Sequence, residues 1–189
     1  MDSVIRDSGV ALRLWCASDE GDVESIVASS RSELDVWLPG LVSELCDFDS
    51  FVARVVRRAG DGTGWYYAIE ASGQVVGQCS LEATEGGTAE IGYWIRTDRS
   101  NEGIATRSVR ALCRAAAAHG FEMLLIHCDE GNVRSAAIAE KLGFTHLSTV
   151  ELDPKMPRAG VRTGREMTWR LASSKCRLSS APLLRSESG

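Results

Sequence analysis

The stretch from Trp65 to His119 constrains the fold most, because its hydrophobic period changes partway along. Trp65 to Glu70, Gln74 to Ala83 and Ala89 to Thr97 read as strands, divided by turns at Ser72-Gly73 and Gly86-Gly87. Turns this short make the three strands antiparallel neighbours. From Gly103 to His119 the period is helical, with Val109, Leu112, Cys113 and Ala116 on one face and Gly120 as the stop. Phe121 to Cys128 then reads as a buried strand. A strand, helix and strand in this order form a right-handed crossover, so the strands on either side of the helix should be parallel.

The flanking segments complete a mixed α/β (α+β) fold. Val10 to Cys16 alternates as a first strand. Ser18 or Asp19 can cap a helix carrying Val23, Ile26, Val27 and Leu34, which Trp37-Leu38-Pro39-Gly40 ends. A second helix starts at Asp49 or Ser50 and runs out at Gly60-Asp61-Gly62. After Cys128, Asn132 to Leu142 reads as a short helix closed by Gly143. Two final strands, Phe144 to Leu152 and Arg165 to Leu171, flank a loop rich in Lys and Arg. The expected architecture is a mostly antiparallel central sheet with one parallel pair, flanked by about four helices. From Ser173 the chain is Ser-rich without apolar period, and is expected to be a disordered tail over 173–189.

Composition removes several classes. A chain of 189 residues suits one domain. No apolar run reaches the roughly 20 residues of a membrane span, and Met1 to Asp7 lacks the apolar core of a signal peptide. The cytoplasm is the expected compartment, with no membrane partner. The six cysteines are scattered without a C-x-x-C pair, so neither a metal site nor a disulfide framework is expected. A formal charge of -5, with no basic face interleaved with aromatics, argues against nucleic acid and is compatible with a cationic substrate. Lys155, Arg158, Arg162 and Arg165 form the one basic cluster, read as a solvated loop or a surface for an acidic partner.

The chemistry concentrates where the strand ending in Glu90-Ile91-Gly92-Tyr93-Trp94-Ile95 gives way to the helix opening at Gly103. The first backbone N–H groups of a helix have no partner within it, and the macrodipole makes that end positive. An anion can be cradled there, and Gly103 leaves room for it to approach. The physics alone leaves an ordinary helix start equally open.

Four segments taken together narrow this. Glu90 to Trp94, the turn through Gly103-Ile104-Ala105-Thr106, Gly131-Asn132-Val133-Arg134-Ser135 and Glu140-Lys141-Leu142-Gly143-Phe144 resemble the GNAT superfamily of N-acetyltransferases. The RimJ/RimL-like branch is the most similar, and Trp37-Leu38-Pro39 resembles a segment of it. The resemblance covers residues 8–172, expected to form one GNAT-like domain. It implies acetyl-CoA as co-substrate and no metal. The family's phosphate loop reads Q/R-x-x-G-x-G/A; Gly103 and Ala105 match, whereas Ser100 stands at the first position and Arg99 one residue early. Ser100, Asn101, Glu102, Gly103, Ile104, Ala105 and Thr106 are the implied pyrophosphate cradle, held by backbone N–H groups. The strands ending near Ile95 and Cys128 are implied to splay, with backbone groups near Trp94 and Ile95, and with Asn132, along the pantetheine arm.

The same resemblance implies catalytic roles. The position that holds tyrosine in many relatives is Ala139 here, so the resemblance implies Ser135, or else an ordered water, as the acid for the departing thiolate. Glu90 is the implied base, with a solvent-exposed strand-edge glutamate as the plain alternative. Glu82, Asp129 and His127 are weaker candidates, and a histidine in a buried strand is more often a satisfied core residue. The activity implied is transfer of acetyl from acetyl-CoA to a primary amine by direct attack in a ternary complex. The acceptor would be a protein or peptide N-terminus or a small amine such as an antibiotic. A degenerate member that binds CoA or a protein partner without catalysis is the alternative. A homodimer is compatible with the resemblance.

Overall fold

The computed structural model describes residues 1–153 and 162–178. Eight strands form one sheet in the order β1-β2-β3-β4-β5-β6-β8-β7. They are β1 (Val4–Asp7), β2 (Val10–Leu14), β3 (Gly64–Ala71), β4 (Gln74–Ala83), β5 (Thr88–Ile95), β6 (Met123–Asp129), β7 (Thr145–Glu151) and β8 (Arg165–Ala172). The helices are α1 (Glu20–Trp37), α2 (Leu41–Cys46), α3 (Phe48–Gly60), α4 (Ile104–His119), α5 (Val133–Lys141) and α6 (Ser174–Leu178). All neighbouring strands are antiparallel except β5 and β6, which α4 joins as a crossover.

Local chemistry explains the meander. The β1–β2 and β3–β4 turns are closed by Ser8-Gly9 and Ser72-Gly73, and the β4–β5 turn by Gly86-Gly87. Each pair has positive φ at both residues, the combination that matches strand twist in a tight hairpin. Side chains then alternate between two cores. Tyr67, Ile69, Leu81, Ile91, Leu124 and Ile126 pack against Leu112 and Ala116 of α4. On the opposite face, Tyr66, Ala68, Val75 and Trp94 meet Ile26 and Leu34 of α1 and Phe51 and Val55 of α3. With both faces covered, the centre of the sheet is largely apolar; of the buried polar side chains on β4, Gln78 accepts from Trp15 Nε1 at 3.0 Å.

Several expectations need correction. Strand β1 and the short helices α2 and α6 were not anticipated, so six helices rather than about four flank the sheet among the described residues. The chain remains folded past Ser173. Its hydroxyl donates to Phe121 O at 2.5 Å, and Cys176 is buried in the α4-side core. This short amphipathic turn has too few residues to show a period. Residues 179–189 lie outside the described residues, as do Lys155 and Arg158 of the basic cluster. Within that cluster Arg165 pairs with Glu130 at 2.8 Å and Arg162 lies 3.7 Å from Asp129.

Candidate active site

Among the described residues the only parallel pair is also the shortest. β5 and β6 match at Thr88–Met123, Ala89–Leu124 and Glu90–Leu125, and there the pairing ends. β5 continues to Ile95 and β6 to Asp129, so the strands diverge and leave peptide groups on their facing edges without a strand partner. A cavity of about 470 Å³ fills the divergence. Position on β5 is set from its other side. A Cβ on Gly77 of β4 would collide with the Trp94 carbonyl, so glycine there lets β5 lie close to β4.

The wide end of the cavity meets the start of α4. Asn101 and Gly103 both have positive φ, 67° and 72°. This turns the chain sharply and exposes the first-turn N–H groups of Ile104, Ala105 and Thr106. The first intrahelical bond is Arg107 N to Gly103 O, and the first turn carries no acid. Ser100, Asn101, Gly103, Ile104, Ala105 and Thr106 all line the cavity. Glu102 does not: its carboxylate is drawn aside by Arg99 at 2.7 and 3.0 Å. Arg99 itself reaches the wall, so a guanidinium is present even though Ser100 occupies the expected position. Trp94, Ile95, Asn132, Ser135 and Glu90 complete the expected set on the lining.

At the throat, Asn132 caps α5 by accepting from Ser135 N at 3.1 Å. That cap fixes Ser135, whose hydroxyl lies 2.8 Å from the Tyr93 hydroxyl across the gap. In the sequence, Tyr93 stands out only as part of the Glu90 to Trp94 motif. Its position on the cavity wall, facing a partner 42 residues away, had no local signal. Burial pushes the Tyr93 phenol up, against the opposing effect of the Ser135 hydrogen bond, so it remains protonated. Burial also raises the Cys128 thiol beside them.

Glu90 sits where the two strands part. Burial raises its carboxyl above the ordinary range, His127 opposes this, and Glu82 and Glu166 add to it. Glu82 is directly opposite on β4 but is committed to Arg58 at 2.9 Å. Asp129 reaches the wall, yet its carboxylate accepts from Gly131 N, Thr163 N, Thr163 Oγ1 and Gly164 N and thereby holds a turn. His127 is a correction. It is not a core residue but half-buried on the cavity wall, because β6 has already lost its β5 neighbour at that point.

Helix α1 closes the third side through Ser30, Glu33, Leu34 and Trp37. Ser30 accepts from Thr97 N at 3.0 Å, tying α1 to the donor loop, and Glu33 pairs with Arg134 of α5 at 2.9 Å. Trp94, 7% exposed, presents a buried Nε1 donor without a partner among the described residues.

A coenzyme A thioester matches these features part by part. Its diphosphate needs convergent N–H donors, its pantetheine amides need a free strand edge, and its acyl end needs a throat sheltered from water. The fold and cleft therefore define an acyl-CoA-dependent acyltransferase. The chain belongs to the GNAT acetyltransferases: the family described as "Acetyltransferase (GNAT) domain" matches residues 10–145. The L-methionine sulfoximine/L-methionine sulfone acetyltransferase of Pseudomonas aeruginosa is 28% identical over 170 residues, 87% of this chain and 90% of that one. In fold, the chain is similar to RimL, a ribosomal L7/L12 alpha-N-protein acetyltransferase solved with coenzyme A. That match has a TM-score of 0.79 and 21% identity, covering 89% of this chain and 97% of RimL. The microcin C7 self-immunity acetyltransferase MccE, solved with acetyl-CoA and AMP, matches with a TM-score of 0.73 and 18% identity, over 88% and 93% of the two chains.

The chain is accordingly an N-acetyltransferase that uses acetyl-CoA and an amine acceptor. No helix among the described residues is long and apolar enough to cross a membrane. Among those residues no group of His, Cys, Asp or Glu is arranged to hold a metal ion.

Proposed function

We propose that this chain acetylates the N-terminal amine of a peptide or protein by direct attack on acetyl-CoA within the cleft. The observation that carries the reading is the divergence of β5 and β6 beyond Glu90, which puts a free strand edge, an N–H cradle and a carboxylate on one cavity. The pyrophosphate rests on the N–H groups at the start of α4, over residues Ser100 to Thr106. The pantetheine arm follows β5 near Trp94 and Ile95, with Asn132 opposite. Residues 8–172 act as one catalytic domain.

The amine attacks the thioester carbon, the carbonyl electrons move onto oxygen, and collapse of that intermediate breaks the C–S bond. Peptide N–H groups on the free edge of β5 stabilise the oxygen as charge develops. Glu90, whose carboxyl burial raises above the ordinary range, supplies the base end. At the sulfur, Ser135 donates a hydrogen bond or proton to the departing thiolate. Tyr93, bonded to Ser135 and kept protonated by burial, replenishes it.

The walls favour a peptide amine over a free amino acid. The two guanidiniums on the described lining, Arg99 and Arg134, are each committed to a carboxylate, Glu102 and Glu33. A substrate carboxylate would have to break one of those pairs. A small amino-acid-like acceptor is the second reading, favoured by the 28% identity to the Pseudomonas enzyme whose name specifies such substrates. Thiol release from acetyl-CoA, measured against peptides of varied first residue and against methionine sulfoximine, separates them. Turnover of methionine sulfoximine but of no peptide would refute the peptide reading. CoA binding with no turnover on any amine would leave a binding module.

A further inference from the structure

His127 lies on the cavity wall and has no part in the acetyl transfer described above. It lies on β6 two residues beyond Leu125, the last residue to pair with β5, and on the same face of the sheet as Glu90. It therefore stands across the opening of the gap from Glu90, and both line the cavity. Its Nδ1 is engaged on the β8 side, 3.2 Å from Thr168 Oγ1 and 3.7 Å from Glu166 Oε1. Thr168 is its register partner, so the contact is built into the pairing of β6 and β8. A carboxylate can only accept, and a hydroxyl can accept as well, so these neighbours favour a proton on Nδ1. In neutral imidazole the lone pair then falls on Nε2, which has no hydrogen-bond partner among the described residues.

We propose that the base for acetyl transfer is a Glu90–His127 pair, with His127 Nε2 receiving the proton that leaves the amine and Glu166 and Thr168 as positioning residues. This rests on the acyltransferase reading above and deepens it. As the N–C bond forms, the N–H electron pair stays on nitrogen and the proton passes to Nε2. The resulting imidazolium is held between Glu90 on one side and Glu166 on the other. The ammonium gives up its first proton to solvent at the mouth of the gap, Glu90 draws the amine in, and Glu90 offsets the charge on His127 once the second proton has passed to it. The other charged groups facing this pair are Glu82 of β4 beside Glu90, Arg170 of β8 opposite Leu125, Asp129 farther along β6 and Glu33 of α1 on the wall. Glu82 and Glu33 are ion-paired with Arg58 and Arg134, and the Asp129 carboxylate is taken up by the hydrogen bonds of its turn, with Arg162 3.7 Å away. Glu90 and Glu166 are thus the carboxylates left to act on the ring.

Two measurements on the full chain test this. Imidazole ¹⁵N spectra, with His127→Gln to assign the ring, should show the neutral Nδ1–H tautomer, and Glu166→Gln should shift it toward Nε2–H. A wild-type ring in the Nε2–H form overturns the proposal whether or not an acceptor has been found. With peptide acceptors, His127→Gln should lower kcat by about a hundredfold or more and remove the acidic limb of the pH profile. The Kd for CoA by calorimetry should stay within about twofold, since no cradle residue is changed. An unchanged acidic limb in His127→Gln would assign the base to Glu90 alone. Failure of the wild-type chain to bind CoA would instead overturn the acyltransferase reading and this proposal with it.

Discussion

Replacing Gly103 with aspartate should separate the stability of the fold from its affinity for CoA. Gly103 has φ 72° and precedes Ile104, the first residue of α4. A Cβ there meets only Arg107 Nη1, at 3.4 Å, so the steric cost is small. The left-handed backbone costs roughly 1 kcal/mol for a residue with a side chain, and least for Asn or Asp. An aspartate carboxylate beside a helix N-terminus returns about 0.3–1 kcal/mol. Net stability should therefore stay within about 1 kcal/mol of wild type. Binding has no such compensation, because the new carboxylate occupies the N–H groups that the pyrophosphate needs. Losing charge-assisted hydrogen bonds of about 1.5–3 kcal/mol corresponds to a Kd for CoA roughly 10- to 100-fold weaker. Gly103→Ala has the strain without the charge, so it should lose about 1 kcal/mol of stability and leave Kd within about threefold. Titration calorimetry with CoA and thermal unfolding measure both. Wild-type affinity in Gly103→Asp would refute the cradle. Equal weakening by alanine would show that backbone shape, not anion binding, was disturbed.

Other residues make separate claims. Ser135→Ala and Tyr93→Phe should each lower kcat by about 10- to 100-fold with little change in KM for acetyl-CoA, and the double variant should be no worse than the more damaging single one, because the two hydroxyls form one unit at 2.8 Å. Additive losses in this kinetic cycle would mean that they act separately. Glu90→Gln should raise thermal stability at neutral pH. An acid whose folded pKa is raised weakens the fold once pH exceeds its unfolded value, so the advantage of the amide should vanish as pH falls below about 4. A Tm lower than wild type at pH 7 would contradict a burial-raised carboxyl. Asp129 has the opposite sign. Burial works to raise its pKa, but hydrogen bonds from Thr163, Gly131 and Gly164 outweigh it and hold it low. Its contribution is present above the unfolded pKa and lost as pH falls through the folded one. Asp129→Asn should therefore cost about 1–3 kcal/mol at neutral pH and progressively less in acid, measured by urea unfolding at several pH values.

The parts of the fold legible in the sequence were those specified by neighbours along the chain. Ser72-Gly73 and Gly86-Gly87 announced β3, β4 and β5 because a positive-φ pair between alternating runs permits little else. Ser8-Gly9 gave the same signal for β1, but Val4–Asp7 is too short for a period to emerge. Leu41–Cys46 and Ser174–Leu178 are short for the same reason, and their helical state follows from docking on the two cores. In the cleft, the Gly103 turn is local and could be read. The pairings of Tyr93 with Ser135, His127 with Thr168 and Glu33 with Arg134 join residues 42, 41 and 101 positions apart, and only the folded sheet brings them together. The place of His127 on the cavity wall is not legible in β6, because a strand's neighbours decide which of its faces is covered and the early end of β5–β6 pairing is not encoded within β6 itself.

Donor and acceptor ends are built of different material, which bears on how such a cleft can change its substrate. The proposed cradle is backbone, shaped by Asn101 and Gly103 in their positive-φ turns ahead of α4. The opposite end is made of side chains from β5, β6, β8 and α1. Yet the two are mechanically joined, since buried Ser30 of α1 accepts from Thr97 N beside the donor loop. The Glu33–Arg134 pair that also anchors α1 is partly exposed, with side chains 35% and 54% accessible, and such pairs contribute only about 0–1 kcal/mol. Opening the cleft between α1 and α5 therefore meets little resistance at that pair, whereas sliding α1 along the donor loop would strand a buried hydroxyl and a peptide N–H. On the proposed reading, an acceptor enters where α1 meets α5, away from the cradle. Substitutions on the cleft-facing side of α1, such as Glu33→Ala, should then alter the choice of amine while leaving the Kd for CoA within about twofold.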